Sequence, residues 1–88
     1  MTRESDIETY LVRRVSALDG EVSKVRWIGR RGAPDRLVML PGQILWVELK
    51  APGHLARPHQ SREHARMRAM GQRVEVVDSF ERVDEVLG

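Results

Sequence analysis

Asp35, Glu48 and Lys50 are the residues of this chain whose types and spacing are best suited to chemistry. Two carboxylates a few ångströms apart repel each other, which raises the pKa of one of them or recruits a cation. Oxygen ligands at a site open to water suit Mg²⁺ or Mn²⁺. A lysine beside such a cation could orient or deprotonate a water molecule and stabilise the charge that develops on a phosphate. These three residues therefore define a candidate site for metal-assisted hydrolysis.

A predicted hairpin brings the three residues together. Two short apolar runs, Arg36–Leu40 and Gln43–Leu49, flank the dipeptide Pro41-Gly42, which suits a tight turn. Because hairpin strands are antiparallel, the aspartate before the first run lies beside the Glu-x-Lys that ends the second. Side-chain alternation directs the glutamate and the lysine to one face, so we expect the three charges to converge at the edge of a small sheet. Glu-x-Lys alone would favour a solvent-facing edge strand, and the upstream Pro-Asp reverses that interpretation.

The motif Gly32-Ala33-Pro34-Asp35-Arg36 followed by Glu48-Leu49-Lys50 resembles the Pro-Asp…(Asp/Glu)-x-Lys signature of the PD-(D/E)XK nuclease superfamily. It is most similar to the VRR-NUC branch, which includes small stand-alone domains that phages often encode. In that branch a Gln follows the Glu-x-Lys and a Glu lies on the first helix. Here Gln60 matches the former, and Glu4 or Glu8 matches the latter. The resemblance covers nearly the whole chain.

The resemblance implies a metal-dependent DNA endonuclease with Mg²⁺ or Mn²⁺ as cofactor. The implied ligands are Glu4, Asp35, Glu48 and the backbone carbonyl of Leu49, with Glu8 in reserve. Lys50 would position or deprotonate the attacking water, and Gln60 would orient that water or its ligands. In-line attack at phosphorus would leave a 5′-phosphate and a 3′-hydroxyl. The stand-alone members of the family are associated with branched DNA, including four-way junctions, and this implies two sites in a homodimer.

Hydrophobic periodicity predicts the elements that position these residues. We expect helices over 5–18, Pro58–Met70 and Phe80–Leu87, and strands over Ser23–Ile28, Arg36–Leu40, Gln43–Leu49 and Val74–Val77. The order α-β-β-β-α-β with a short C-terminal helix predicts a single small α/β domain, residues 1–88, with the restriction-endonuclease-like core that the resemblance implies. Eighty-eight residues are near the lower limit for a self-sufficient core.

The start of the first helix decides which glutamate could reach the site. Ser5 and Glu8 fit a capping box, and Thr2 could cap a longer helix. At helical spacing Glu4 falls inside the apolar stripe and Glu8 falls just beside it. Because a carboxylate that faces the core is costly unless it is paired or binds metal, Glu4 is the preferred ligand.

The second helix carries Gln60 one turn inside its start. Gln60 shares a face with His64 and Met67, so it is expected to point towards the sheet. His59 and His64 are five residues apart and therefore lie on different faces, which excludes them as a pair of ligands for one metal. A surface glutamine is the alternative interpretation of Gln60.

Basic residues are concentrated in the middle of the chain. The segment from residue 24 to residue 73 carries a net charge of +8, whereas the two ends together carry −6. Thirteen of the fifteen basic residues are Arg, which binds phosphate bidentately. We therefore expect DNA as the partner, with contacts from Lys24, Arg30, Arg31, Arg36 and Arg57. Ordinary solubilising charge is the alternative, and the alternative functions are a non-catalytic DNA-binding accessory module and a small basic interaction protein.

Composition excludes several other classes. The absence of cysteine rules out disulfides and zinc-thiolate sites. No apolar run is long enough for a membrane span, and the first residues are too charged for a signal peptide, so we expect a cytoplasmic protein. For the homodimer, two candidate surfaces are the tail face of Phe80, Val83 and Leu87 and the helix flank of Tyr10 and Val12.

Overall fold

Helices cover both faces of a four-stranded sheet in the computed structural model of the chain, which describes residues 1–88. The elements are α1 (Glu4–Ala17), β1 (Glu21–Lys24), β2 (Arg36–Leu40), β3 (Gln43–Leu49), α2 (Pro58–Ala69), β4 (Val74–Val77) and α3 (Phe80–Leu87). The strands lie in the order β1-β2-β3-β4, with β4 parallel to β3 and the other neighbours antiparallel. This order confirms the predicted α/β fold. None of the three helices has the length and apolar character needed to cross a bilayer.

The main core lies between one face of the sheet and the helices α1 and α3. Leu18, which spacing places on the apolar stripe of α1, follows the helix end and is 42% exposed, whereas the other three members of the stripe and every second residue of β3 point to the core. These side chains are at most 4% exposed: Ile7, Leu11, Val15, Leu45, Val47 and Leu49. Full burial of such a side chain contributes roughly 1.5–3 kcal/mol, so this layer supplies most of the stability that holds the site in place.

The alternate residues of β3 face α2 on the other side of the sheet. Trp46 and Glu48 lie there, and α2 covers this face with His64 and Met67, which are 1% and 3% exposed. The predicted inward face of α2 is therefore confirmed for His64 and Met67, whereas Gln60 is half-buried. Glu48 is consequently enclosed between the sheet and a helix.

The β2–β3 hairpin has the predicted boundaries. Leu40 pairs with Gln43 across the turn, and Gly42 has a φ of 81°, a conformation that favours glycine. Because β3 pairs on both sides, the carboxylates lie at the end of two central strands and not on an edge strand.

Two predicted boundaries were wrong. The N-cap of α1 is Arg3, whose backbone N–H donates to the Asp6 side chain (2.7 Å), so neither Ser5 nor Thr2 caps the helix. Strand β1 ends at Lys24, and residues 25–35 form an irregular loop, although its residues 25–28 had been predicted to extend the strand. This loop contains glycines at positive φ and is held by side-chain contacts described below.

The C-terminal helix packs within the subunit. Ser79 caps α3 by accepting from the backbone N–H of Arg82 (3.0 Å), as predicted, and Val83 is fully buried. Tyr10 of α1 donates to Asp84 (2.8 Å), and its ring lies 5.0 Å from that of Phe80, which is 37% exposed. Tyr10, Phe80 and Val83 of the two candidate dimer surfaces therefore make contacts within the subunit, whereas Val12 remains 44% exposed.

Gly32 should be more sensitive to substitution than Gly29. Both have positive φ (86° and 77°), so an alanine at either position carries a cost of about 1–2 kcal/mol. Only at Gly32 would the added Cβ also meet a neighbouring backbone atom, the carbonyl oxygen of His59, at 2.7 Å, whereas at Gly29 nothing lies within 4 Å. We expect Gly32→Ala to lower the free energy of unfolding more than Gly29→Ala in urea titrations. Equal losses would show that the loop does not need its close approach to α2.

Candidate active site

The β2–β3 hairpin places Asp35, Glu48 and Lys50 together. The register pairs Arg36 with Val47, so Asp35 lies beside Glu48 on the face that α2 covers. Lys50 directly follows β3, and its backbone N–H donates to the carbonyl of Val77 on β4 (2.9 Å). Glu48 is 7% exposed, whereas the side chain of Asp35 is 54% exposed. The site therefore combines one buried carboxyl group with one that is open to solvent.

The loop before β2 is fixed at the Pro-Asp motif itself. Pro34 is fully buried, and its carbonyl oxygen accepts a hydrogen bond from Trp27 Nε1 (2.8 Å). The ring of Trp27 packs on Trp46 of β3, with centroids 5.2 Å apart. The side chain of Trp27 is half-buried in these contacts. This tryptophan pair holds the backbone from which Asp35 projects.

The surroundings of Glu48 do not fully offset the cost of its negative charge. Burial and, after it, the negative charge of Asp35 raise the pKa of Glu48 to about 7. Lys50 and Arg36 act in the opposite direction, and Glu4 adds to the increase. Glu48 forms no salt bridge with Lys or Arg. A divalent cation at this point would offset the repulsion that the protein alone leaves in place.

The chemical type of the candidate metal ligands suits a hard divalent cation. Asp35 and Glu48 supply oxygen atoms, which Mg²⁺ and Mn²⁺ prefer. Glu4 is exposed at the first residue of α1, and it lies close enough to influence the pKa of Glu48. No three acidic or histidine side chains form a ready cluster for a metal ion. A third carboxylate would therefore have to be drawn in from α1.

Arg36 links α1 to the motif. Its Nε donates to Glu8 (2.6 Å), and its NH1 lies 3.0 Å from Asp35 Oδ2. The side chain of Arg36 is only 13% exposed. Glu8 is therefore engaged by Arg36 in the structure, and Arg36 itself is turned inward, away from any approaching DNA.

Gln60 makes a capping contact at the start of α2. Its Oε1 accepts from the backbone N–H of Arg57 (2.9 Å), and it forms no hydrogen bond to Asp35 or Glu48. The oxygen satisfies one of the unpaired N–H groups that every helix start exposes. The amide nitrogen of Gln60 keeps its two N–H donors.

His64 is a neighbour of Glu48 that sequence reasoning missed. Its Nε2 lies 3.6 Å from Glu48 Oε1, and the ring is 1% exposed. Burial, together with the positive charges of Arg68 and Lys50, lowers the pKa of His64, so the ring is neutral. The signal in the sequence is its position one turn after Gln60 on the same helix face, but that position does not reveal which residue of β3 the ring meets.

Glu63 is a second buried acid that the sequence did not reveal. It is 6% exposed and binds two arginines, Arg66 (Nε to Oε1, 3.1 Å; NH2 to Oε2, 2.9 Å) and Arg30 (NH2 to Oε1, 2.6 Å). Hydrogen bonds from Arg66 and then Arg30 lower the pKa of Glu63 to about 2. Arg30 thus anchors the loop 25–35 to α2, and its charge is already partnered.

Three of the unpaired basic side chains lie near the start of α2. They are Arg31, Arg57 and Arg62, which are exposed and form no salt bridge. Burial of His59 lowers its pKa, and the positive charges of these three arginines and of Lys50 lower it as well. Lys24 lies elsewhere. It pairs across the strands with Arg36 and shares a groove with Glu8 on the α1 side, so it is on the opposite face of the sheet from Glu48.

Comparisons with known proteins agree with the geometry. No protein-family model matches the chain. The chain is 51% identical over 80 residues to "Putative nuclease p44" of Acyrthosiphon pisum secondary endosymbiont phage 1, covering 90% of this chain and 86% of that protein. It superposes on a solved structure described as "VRR_NUC domain" with a TM-score of 0.88 and 45% identity, covering 99% of this chain and 96% of the other.

The raised pKa of Glu48 predicts how pH affects stability without metal. The folded pKa of about 7 lies above the ordinary value of 4.5, so the contribution of Glu48 to stability is fully present below pH 4.5 and is lost as the pH rises through 7. In EDTA at pH 8, we expect Glu48→Gln to increase the free energy of unfolding by about 1–3 kcal/mol, with little change at pH 4. Urea titrations at both pH values measure this.

The exposed Glu81, which forms no salt bridge, offers a matched control. Glu81→Gln should leave the difference between pH 4 and pH 8 unchanged. A Glu48→Gln protein that is less stable than the wild type at pH 8 would contradict the assignment of uncompensated charge to Glu48.

Proposed function

Because the chain belongs to the VRR-NUC family of nuclease domains, we propose that it is a metal-dependent DNA endonuclease that prefers branched DNA such as four-way junctions. The observation that carries the metal dependence is the burial of Glu48 beside Asp35 without a salt bridge to Lys or Arg. Similarity to a phage protein supports action in the cytoplasm of a bacterial host cell.

Asp35 and Glu48 are the proposed principal ligands of Mg²⁺ or Mn²⁺, with Glu4 and the backbone carbonyl of Leu49 completing the set. When bound, the cation would supply a Lewis acid for the phosphate and lower the pKa of a water molecule. Glu48 must release its proton to act as a ligand, which its raised pKa allows near neutral pH. Glu8 stays in reserve, because Arg36 already binds it.

Lys50 and Gln60 are the proposed groups that handle the attacking water. Lys50 lies close enough to Glu48 to lower its pKa, and its ammonium could orient the water or stabilise charge on the phosphate. Gln60 could donate from its amide nitrogen while its oxygen caps α2. The products would carry a 5′-phosphate and a 3′-hydroxyl.

Arg31 and Arg57 are the proposed contacts to the DNA backbone nearest the site. Both are exposed and without salt bridges. Arg30 and Arg36 form ion pairs with carboxylates of the chain, and Lys24 lies on the other face of the sheet. We therefore assign these three residues a secondary part in DNA binding. Contacts to phosphates fix register without reading bases, which favours recognition of DNA shape.

A non-catalytic DNA-binding module is the alternative, and one observation favours it: no three-ligand cluster is assembled in advance. A pure binder, however, gains nothing from two carboxylates that face phosphate. Cleavage of labelled linear, flap, splayed and four-way DNA with Mg²⁺ or Mn²⁺ distinguishes the two functions.

We expect Asp35→Ala and Glu48→Ala each to abolish cleavage, by at least about 100-fold, because each removes an oxygen donor. DNA binding should be unchanged or tighter, since negative charge near phosphate is lost.

Lys50→Ala should also remove activity but retain metal affinity by calorimetry, because an ammonium donates no lone pair. Glu81→Ala is the control with normal cleavage. Near-normal cleavage by either carboxylate variant would refute the metal assignment.

We expect a homodimer, because paired cuts at a junction require two sites and a domain this small gains from association. The most exposed apolar side chains inside the chain are Ile28 (95% exposed), Leu55 (83%) and Met70 (57%), and Val12 (44%) and Phe80 (37%) of the surfaces named above are also partly exposed. Light scattering should give about twice the subunit mass of 10.1 kDa. A monomer at micromolar concentration that still makes paired cuts would exclude the dimer.

A further inference from the structure

His64 carries the one buried side-chain polar atom of the chain that has no hydrogen-bond partner, Nε2. Buried polar groups are nearly always paired, and an exception calls for a functional explanation. The helix fixes the direction of the ring: Pro58 and the capping contact of Gln60 set the start of α2, and His64 and Met67 then face the sheet.

The nearest suitable acceptor is the buried carboxyl group of Glu48, on the strand that His64 faces. Glu48 Oε1 lies 3.6 Å from Nε2, beyond a normal hydrogen bond by about 0.5 Å. Both side chains are enclosed, at 1% and 7% exposure. A small shift of either one would close the gap and satisfy both groups.

The charges around the imidazole are consistent with a neutral donor. The positive charges of Arg68 and Lys50 disfavour a protonated ring, and Glu63, which acts in the opposite direction, is itself held by two arginines. A neutral imidazole that carries its proton on Nε2 donates one hydrogen bond from that atom. A carboxylate that binds metal is commonly fixed in this way by a second group.

We propose that His64 is a positioning residue: its Nε2–H donates to Glu48 Oε1 and so holds the other carboxylate oxygen towards Asp35 and the cation. This inference rests on the proposed role of Glu48 as a metal ligand. His64 acts through Glu48 and does not touch the reacting atoms.

Mn²⁺ binding measured by calorimetry, without DNA, tests the inference. His64→Leu should weaken Mn²⁺ binding by about 10- to 100-fold, because it removes the donor while keeping an apolar side chain. His64→Gln, which can place a donor where Nε2 was, should remain within about threefold of the wild type. His54→Leu, a change at an exposed loop histidine, is the control. In a Glu48→Gln background His64→Leu should have no further effect.

Two spectroscopic results would overturn the inference. In the Mn²⁺ complex, nitrogen coupling typical of a bound imidazole would make His64 a direct ligand. In the metal-free protein at pH 8, above the Glu48 pKa of about 7, nitrogen NMR should show the proton on Nε2, and a proton on Nδ1 instead would exclude the hydrogen bond. The NMR measurement also separates the two hypotheses, because wild-type protein that binds no Mn²⁺ refutes the proposed function, whatever the tautomer.

If His64→Leu does not fold, His64→Met supplies the same comparison with a more adaptable side chain. Equal Mn²⁺ affinity in a folded Leu or Met variant and in the wild type would refute the positioning role. Equal weakening in the Leu and Gln variants would also refute it, since packing alone would then explain the loss.

Discussion

Glu48 is a carboxyl group that the fold removes from water without giving it a basic partner. The hairpin register places it on the inner side of a central strand, and α2 then closes over it. A buried carboxylate is costly unless it is paired, hydrogen-bonded or bound to a cation. The sheet, the second helix and the neighbouring Asp35 together therefore create a position that favours either a proton or a metal ion.

Glu63 is a buried acid whose negative charge is balanced by neighbouring arginines. Glu63 and Glu48 are almost equally enclosed, at 6% and 7% exposure, but the pKa of Glu63 falls to about 2 and that of Glu48 rises to about 7. The difference comes from partners, because two arginines bind Glu63 directly and none binds Glu48. The carboxyl group left uncompensated is the one beside Asp35 and Lys50, which is where a catalytic cation would be used.

The sequence predicted the parts of the fold that depend on local pattern. A Pro-Gly turn between two apolar runs determined the hairpin and its boundaries, and hence the approach of Asp35 to Glu48. The partners of Arg30 and Arg36 could not be predicted, because they lie 33 and 28 residues away and surface charge carries no periodic signal. Both arginines were expected to bind DNA, and both bind carboxylates in the structure. His64 was assigned to the correct helix face, but its neighbour depends on how α2 crosses β3.

The same ion pairs determine which surface remains open to a polyanion. Arg30 and Glu63 tie the loop 25–35 to α2, and Gly32 lets that loop approach the carbonyl of His59 closely. Arg31 is therefore held near Arg57 at the start of α2, where both guanidinium groups stay exposed. Because Arg30 and Arg36 are paired with acids, the unpaired Arg31 and Arg57, together with Lys50, give a positive potential on the side of the molecule that carries Glu48. A phosphate drawn to that potential would arrive beside the uncompensated carboxyl group, so the internal ion pairs and the open basic surface serve the same site.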